Sequence, residues 1–176
     1  MASRLVAAGY SLLVYDIKAD VQANFLQGRS ARGMNTPAEV AKSSDLIITI
    51  LPDGKAVSAV VLGSEGCAGM IDAMSAGAIL IDMSSSSPMG TRKLGQLLAS
   101  REIQMVDAPV SGGVPKAKSG ELAIIAGGRA EVVERCRPIF EVLGSRIFHS
   151  GPLGSGHAVK ALNNMCSAAG LIAAAE

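Results

Sequence analysis

AILIDMSSSSPMGTRKLGQLLASREIQMVD, residues 78–107, carries the pattern that decides the fold. It opens on an almost continuously apolar strand, Ala78–Asp82, and closes on another, Ile103–Asp107. Between them Ser87-Pro88 marks a helix start, with Pro at the first helical position, where its missing N–H is not needed. Apolar runs of this kind suit strands of a parallel sheet covered on both faces. Upstream, Leu46–Leu51 (LIITIL) and Ser11–Asp16 (SLLVYD) repeat the strand signal, and Ser30–Gly33 adds a shorter one. Thr36-Pro37-Ala38-Glu39 is a capping box at the head of a further helix. Strands and helices in alternation predict an α/β chain with a doubly wound, mostly parallel sheet and right-handed crossovers.

After Asp107 the texture changes. Ala108–Gly120 (APVSGGVPKAKSG) reads as a Gly/Pro/Ser-rich loop, followed by a strand at Glu121–Ala126, a helix from Arg129 to Leu143 and a strand at Ser145–His149. Gly151-Pro152-Leu153-Gly154-Ser155-Gly156 is a second flexible stretch before a final helix. Met165–Ala175 (MCSAAGLIAAA) is apolar all round, as a helix made for burial is. Met1–Gly9 reads as the last turns of a helix, with no strand and no tight glycine turn ahead of it. The sequence therefore reads as cut at both ends.

Composition narrows the function. The 176 residues are 49% hydrophobic and 18% charged, with a formal net charge of +1. That apolar fraction excludes disorder. Two Tyr, three Phe and no Trp, with so little net charge, leave no basic patch with stacking platforms for nucleic acid. No apolar run approaches the roughly 20 residues of a membrane span, and nothing resembles a secretory leader. Cys67, Cys136 and Cys166, odd in number and widely spaced, read as buried thiols of a cytoplasmic protein.

A few residues have chemistry in prospect. Asp16 closes the first visible strand, where an acid can accept hydrogen bonds from an adenine ribose, or simply start a turn. Ser111-Gly112-Gly113 offers a hydroxyl and converging N–H groups to an anion, or is a plain flexible turn. Lys160 and Asn164, four apart, share a helix face; an apolar setting would lower the lysine pKa toward the range useful for proton transfer, whereas at the surface its stem would only snorkel. His149 and His157 match no metal spacing and read as structural or surface residues, and Lys116 and Lys118 as solvated charges.

Two long motifs carry a resemblance. Asp107-Ala108-Pro109-Val110-Ser111-Gly112-Gly113, continued by Ala117, Gly120, Leu122 and Gly127-Gly128, resembles the substrate-binding signature of the β-hydroxyacid dehydrogenase family. Gly154-Ser155-Gly156-His157-Ala158-Val159-Lys160-Ala161-Leu162-Asn163-Asn164 is similar to that family's glycine-led catalytic helix, and Leu51-Pro52 with Asp82–Pro88 fits its cofactor-side loops.

The resemblance implies a Rossmann-like domain over residues 1–150, without its first strand and glycine loop. It also implies that residues 151–176 begin the helix leading into an all-helical domain, with dimers or tetramers in the full-length form. By resemblance Lys160 is the catalytic lysine, Ser111, Gly112 and Gly113 hold the substrate carboxylate, and Asn164 orients the reacting group. Leu51, Pro52 and Ser85 correspond to cofactor contacts. Asp16, in place of the Asn-Arg pair of NADP users, favours NAD, while Lys18 keeps NADP open. The implied reaction transfers hydride between NAD(P) and a small 3-hydroxy acid or its semialdehyde; no phosphate-binding cluster points to 6-phosphogluconate.

Hydrogen bonds to charged groups contribute about 1.5–3 kcal/mol each. Without a glycine loop for the pyrophosphate, the partial chain is expected to bind cofactor about three to five decades more weakly and to be inactive alone. A non-catalytic family member acting as a binding or assembly module is the alternative. An unrelated doubly wound domain, such as a methyltransferase, leaves both late motifs without a role.

Overall fold

The computed structural model describes residues 1–64 and 67–175. The chain runs from α1 (Ala2–Ala7) through β1 (Leu12–Val14), α2 (Ala19–Leu26), β2 (Ala31–Gly33), α3 (Pro37–Lys42) and β3 (Leu46–Thr49) to α4 (Gly54–Leu62). Two-residue strands β4 (Gly63–Ser64) and β5 (Cys67–Ala68) and a 3-10 turn at Met70–Asp72 follow. Then come β6 (Ile79–Asp82), α5 (Pro88–Ala99), β7 (Gln104–Asp107), β8 (Val110–Ser111), α6 (Gly113–Ser119) and β9 (Leu122–Ala126). The last elements are α7 (Ala130–Leu143), β10 (Gly144–His149) and the long α8 (Ser155–Ala175).

β3, β6 and β7 form a parallel ladder in the order β3-β6-β7. Alternate residues leave this ladder for two separate cores. Ile79, Ile81 and Val106 go to one face, where Leu5 of α1 and Val132, Val133, Cys136, Phe140 and Leu143 of α7 meet them. Ile47, Leu80 and Met105 go to the other, against Val57 and Val61 of α4 and Leu94 and Leu98 of α5. That is why these strands are apolar at every position but Gln104 and the polar residue that ends each: both faces of the ladder are covered. Each such side chain contributes about 1.5–3 kcal/mol by burial.

The predicted helix starts form as expected. The Thr36 hydroxyl accepts the Glu39 N–H at 3.1 Å, and the Glu39 carboxylate accepts the Asn35 N–H at 2.8 Å. Ser87 caps α5, with Pro88 at its first position. Asp53, not singled out from the sequence, caps α4 by accepting the Ala56 N–H at 2.8 Å.

The remaining strands lie in other ladders. β1 and β2 pair in parallel on their own. The strand order of a dinucleotide-binding sheet puts its first strand between that pair and β3; among the described residues none stands there. β9 pairs in parallel with β10 and antiparallel with β8, and an antiparallel bridge from Asp107 to Gly127 ties it to the end of β7.

Several expectations change. Ala108–Gly120 is not one loop: Val110–Ser111 pairs as β8 and Gly113–Ser119 winds into α6. The first strand covers Leu12–Val14 rather than Ser11–Asp16, with a ladder partner on one side only. Cys136 is a buried thiol, and burial pushes it up to about 11, but Cys166 is exposed on α8. The side chain of Cys67 lies outside the described residues. Among the described residues, no helix is long and apolar enough to cross a membrane.

Candidate active site

The ladder ends in a polar row. Thr49, Asp82 and Asp107 are the last residues of β3, β6 and β7, and they stand in register across the sheet. Carboxyl ends of strands are where ligands settle in open α/β sheets. Here the two carboxylates are buried and fully engaged. Asp82 Oδ1 accepts the Thr49 hydroxyl and the Ser84 N–H, both at 3.0 Å, and its Oδ2 accepts the Ser86 hydroxyl at 2.8 Å. Asp107 accepts the N–H groups of Gly154 and His157, each at 2.7 Å, and so caps the head of α8 from a different element. Burial pushes the Asp107 carboxyl above its ordinary value; the two N–H donors and the His157 ring pull the other way.

His157 fills the space between the strand ends and is 1% exposed. Its Nε2 lies 3.0 Å from the Ser84 carbonyl. That oxygen only accepts, so Nε2 carries a proton. Its Nδ1 lies 2.8 Å from the Thr91 hydroxyl on α5. The ring also stands 3.8 Å from the Asp82 carboxylate and 3.6 Å from that of Asp107.

Glycine lets the helix come this close. A Cβ at Gly127 would sit 2.5 Å from Asp107 Oδ1 and 2.7 Å from the Gly156 nitrogen. At Gly154 a positive φ of 86° adds a backbone demand that favours glycine.

Lys160 lies one turn beyond His157 on α8, half-buried, and burial lowers its ammonium below its ordinary value. Asn164, one further turn along the same face, is exposed. Ser111 ends β8, half-buried, and pairs with Ala123 of β9. Gly112 and Gly113 turn the chain into α6 with φ of 132° and 68°. α8 packs on β9 and β7, so the lysine helix and the Ser111–Gly113 turn share one strand as their footing.

On the other side of Asp82, the Leu51 N–H donates to Ser84 Oγ at 2.9 Å, which joins the loop of Leu51 and Pro52 to that of Ser85. Pro52 and Ser85 are exposed. Beside them is a cleft of about 460 Å³ lined by Asp53, Gly54, Ser58, Asp82, Ser86 and Thr91, among others. Asp16 is not drawn into this group. It sits exposed after β1, its Oδ1 taking the Lys18 N–H at 2.9 Å in a turn. His149 closes a loop: its Nε2 meets the carbonyls of Gly128 and Gly151 at 2.9 and 3.1 Å.

Sequence reasoning missed the part played by Thr49, Asp82, Thr91, Asp107 and His157. The available signal was the polar residue that ends each apolar strand run, LIIT, ILID and QMVD.

Comparison with known proteins agrees with this layout. The family described as the NAD binding domain of 6-phosphogluconate dehydrogenase matches residues 1–151. A 2-(hydroxymethyl)glutarate dehydrogenase from Eubacterium barkeri is 38% identical over 100% of this chain and 57% of its own length. A 3-hydroxyisobutyrate dehydrogenase from Pseudomonas aeruginosa is 34% identical over 94% of this chain and 54% of its own. Among solved structures, Mycobacterium tuberculosis 3-hydroxyisobutyrate dehydrogenase with L-serine superposes with a TM-score of 0.89 at 31% identity. It is matched over 98% of this chain and 57% of that one. The chain thus spans somewhat over half the length of these relatives. With a strand-end cleft, a doubly wound sheet and this match over residues 1–151, the chain belongs to the family of the NAD binding domain of 6-phosphogluconate dehydrogenase.

Proposed function

We propose that this chain supplies the cofactor-binding unit and the proton-carrying helix of a dehydrogenase that moves hydride between NAD(P) and a small 3-hydroxy acid or its semialdehyde. Residues 1–150 are the cofactor unit in this reading, and 151–176 the helix that leaves it. The observation that carries it is Lys160. Its amine is half-buried and shifted toward the neutral form, on a helix footed on the same strand as the Ser111–Gly113 turn.

Bound NAD(P)+ supplies the hydride acceptor. The Leu51-Pro52 and Ser85 loops, beside a cleft flanked by the starts of α4 and α5, suit its nicotinamide side. The sequence has no G-x-G-x-x-G turn for its pyrophosphate. In the oxidising direction neutral Lys160 Nζ takes the hydroxyl proton; in the reducing direction the ammonium returns it. A lowered pKa favours the amine, so oxidation gains as pH rises through the Lys160 value, which burial brings down from the ordinary lysine value. Ser111 Oγ and the N–H groups of Gly112 and Gly113 hold the carboxylate, and Asn164 orients the carbon that reacts. Asp16, at the end of the first strand, supports NAD over NADP. The free thiols of Cys136 and Cys166 suit a cytoplasmic setting. The exposed apolar side chains of α8, among them Leu162 and Leu171 at 58% and 75%, support a homo-oligomer.

The test is reduction of NAD+ by this chain and by Lys160→Met across a panel of small 3-hydroxy acids, beside a fluorescence titration with NADH. Turnover that needs the lysine supports the proposal. Saturable NADH binding without turnover on any acid favours a binding module. No saturation up to millimolar NADH is the outcome expected if the absent glycine turn governs affinity.

A further inference from the structure

Resting on that reading of Lys160, we propose that His157 is the positioning residue of the site: wedged between the ends of β6 and β7, its ring sets the rotation of α8 and hence where Lys160 presents its amine. The first support is where the helix is held, at its first turn against β7, β9 and α5. Of the 21 residues of α8, Gly156 and His157 are the buried ones. The Gly154 and His157 N–H bonds to Asp107 fix where the helix begins. Beside them the Ser155 hydroxyl meets that of Ser150 at 2.9 Å, and Gly156 lies close against β9. The His157 ring reaches farther from the axis than either, and its contacts with Ser84 on one edge and Thr91 on the other give it the longest arm against rotation.

The stakes follow from geometry. A side-chain tip about 6 Å from a helix axis moves about 1 Å when the helix turns by about ten degrees. A misplacement of about 1 Å is worth about a hundredfold in rate.

The second support is that the ring is held whatever its charge. When neutral, Nε2–H donates to the Ser84 carbonyl and Nδ1 accepts the Thr91 hydroxyl proton. When charged, Nδ1–H donates to the Thr91 oxygen, and the hydroxyl swings to the Ser87 carbonyl 3.1 Å away. That carbonyl already accepts the Thr91 N–H at 2.9 Å, so it is satisfied in both states. The acids facing the ring, Asp82 from β6 and Asp107 from β7, keep their other donors throughout. One hydroxyl rotation thus keeps the ring fixed without moving the helix, as a positioning residue beside a proton-transfer site requires.

The experiment reads Lys160 directly and needs neither cofactor nor substrate. The intact chain is pulse-labelled with an amine-reactive reagent across pH and analysed by mass spectrometry, with exposed Lys42 and Lys118 as internal references. Thr91→Val keeps the shape of the side chain and removes the hydroxyl that locks the ring; Thr91→Ser restores it; His157→Gln removes the ring. We expect the Lys160 labelling midpoint to move toward the reference lysines in Thr91→Val and His157→Gln, with rates changed at least threefold, and to return in Thr91→Ser. Lys160 labelling within twofold of the parent in both folded variants overturns the proposal. So does loss of folding in both, because the ring would then serve stability alone. A labelling shift upholds positioning whether or not a hydroxy acid is turned over; the catalytic reading of Lys160 falls if turnover is found and Lys160→Met retains it.

Discussion

Asp107 shows what a single buried carboxylate does here. It ends β7, caps α8 through two N–H groups and faces the His157 ring. Burial raises its pKa above the ordinary value, so the folded chain holds the proton more tightly than the unfolded chain. The sign of the linkage follows: this group's contribution is full below the unfolded value and is lost as pH rises through the folded one. Asp107→Asn cannot titrate. Urea midpoints measured between pH 3 and 8 are therefore expected to show the parent losing ground relative to the variant as pH rises. A difference that is flat or grows with pH would contradict the assignment. At this scale the sequence was legible in part. Ser111-Gly112-Gly113 and Lys160 can be picked out locally as candidates, each with a plain structural reading beside it, and their roles come from the resemblance alone. The bonds of Asp82 to Thr49 and of Asp107 to His157 join residues dozens of positions apart, and no local pattern encodes them.

Elements were legible where burial imposed a period. β3, β6 and β7 read correctly because both faces of their ladder are covered, and α7 because one side of it meets the sheet. α6 was read as loop for the opposite reason: none of its residues is buried, so nothing in GVPKAKS repeats with a helical period. The β4–β5 pairing involves two residues from each strand, too few for any pattern. α8 is a third case, a helix legible from composition whose far part finds no cover among the described residues. Isolated helices of under about 12–15 residues are marginal in water. Amide hydrogen exchange in the monomer should therefore show strong protection around His157 and Lys160, falling steeply beyond Asn164. Uniform protection to Ala175 would mean that the apolar face is covered in solution.

At the scale of the molecule, one ladder separates two cores that share it without sharing side chains. Phe140 anchors the core beneath α7, and Leu80 the core beneath α4 and α5. Phe140→Ala is expected to cost about 3–5 kcal/mol and Leu80→Ala about 2–5 kcal/mol. If the sheet insulates the two faces, the double variant should equal the sum within about 0.5 kcal/mol, measured by urea unfolding. A larger coupling would show that strain passes through the ladder. The doubly wound architecture was readable from residues 78–107 outward because each strand–helix–strand unit repeats the same physical bargain of two covered faces. The separation of the β1–β2 pair from β3 was not, since strand order depends on which edges meet in space.

The footing of α8 has a mechanical consequence. The helix is held at His157 and runs on for 18 residues to Ala175, about 27 Å at 1.5 Å per residue. Lys160 stands only about 4.5 Å along that arm. Once its distal part is covered and helical throughout, α8 acts as a stiff lever on a short pivot and divides any sideways push at its tip by about six before it reaches the amine. A displacement of about 3 Å at the far end shifts Lys160 by about 0.5 Å. Whatever the distal half meets can therefore jostle freely while the proton carrier stays in tolerance, and only a twist at the pivot retunes it.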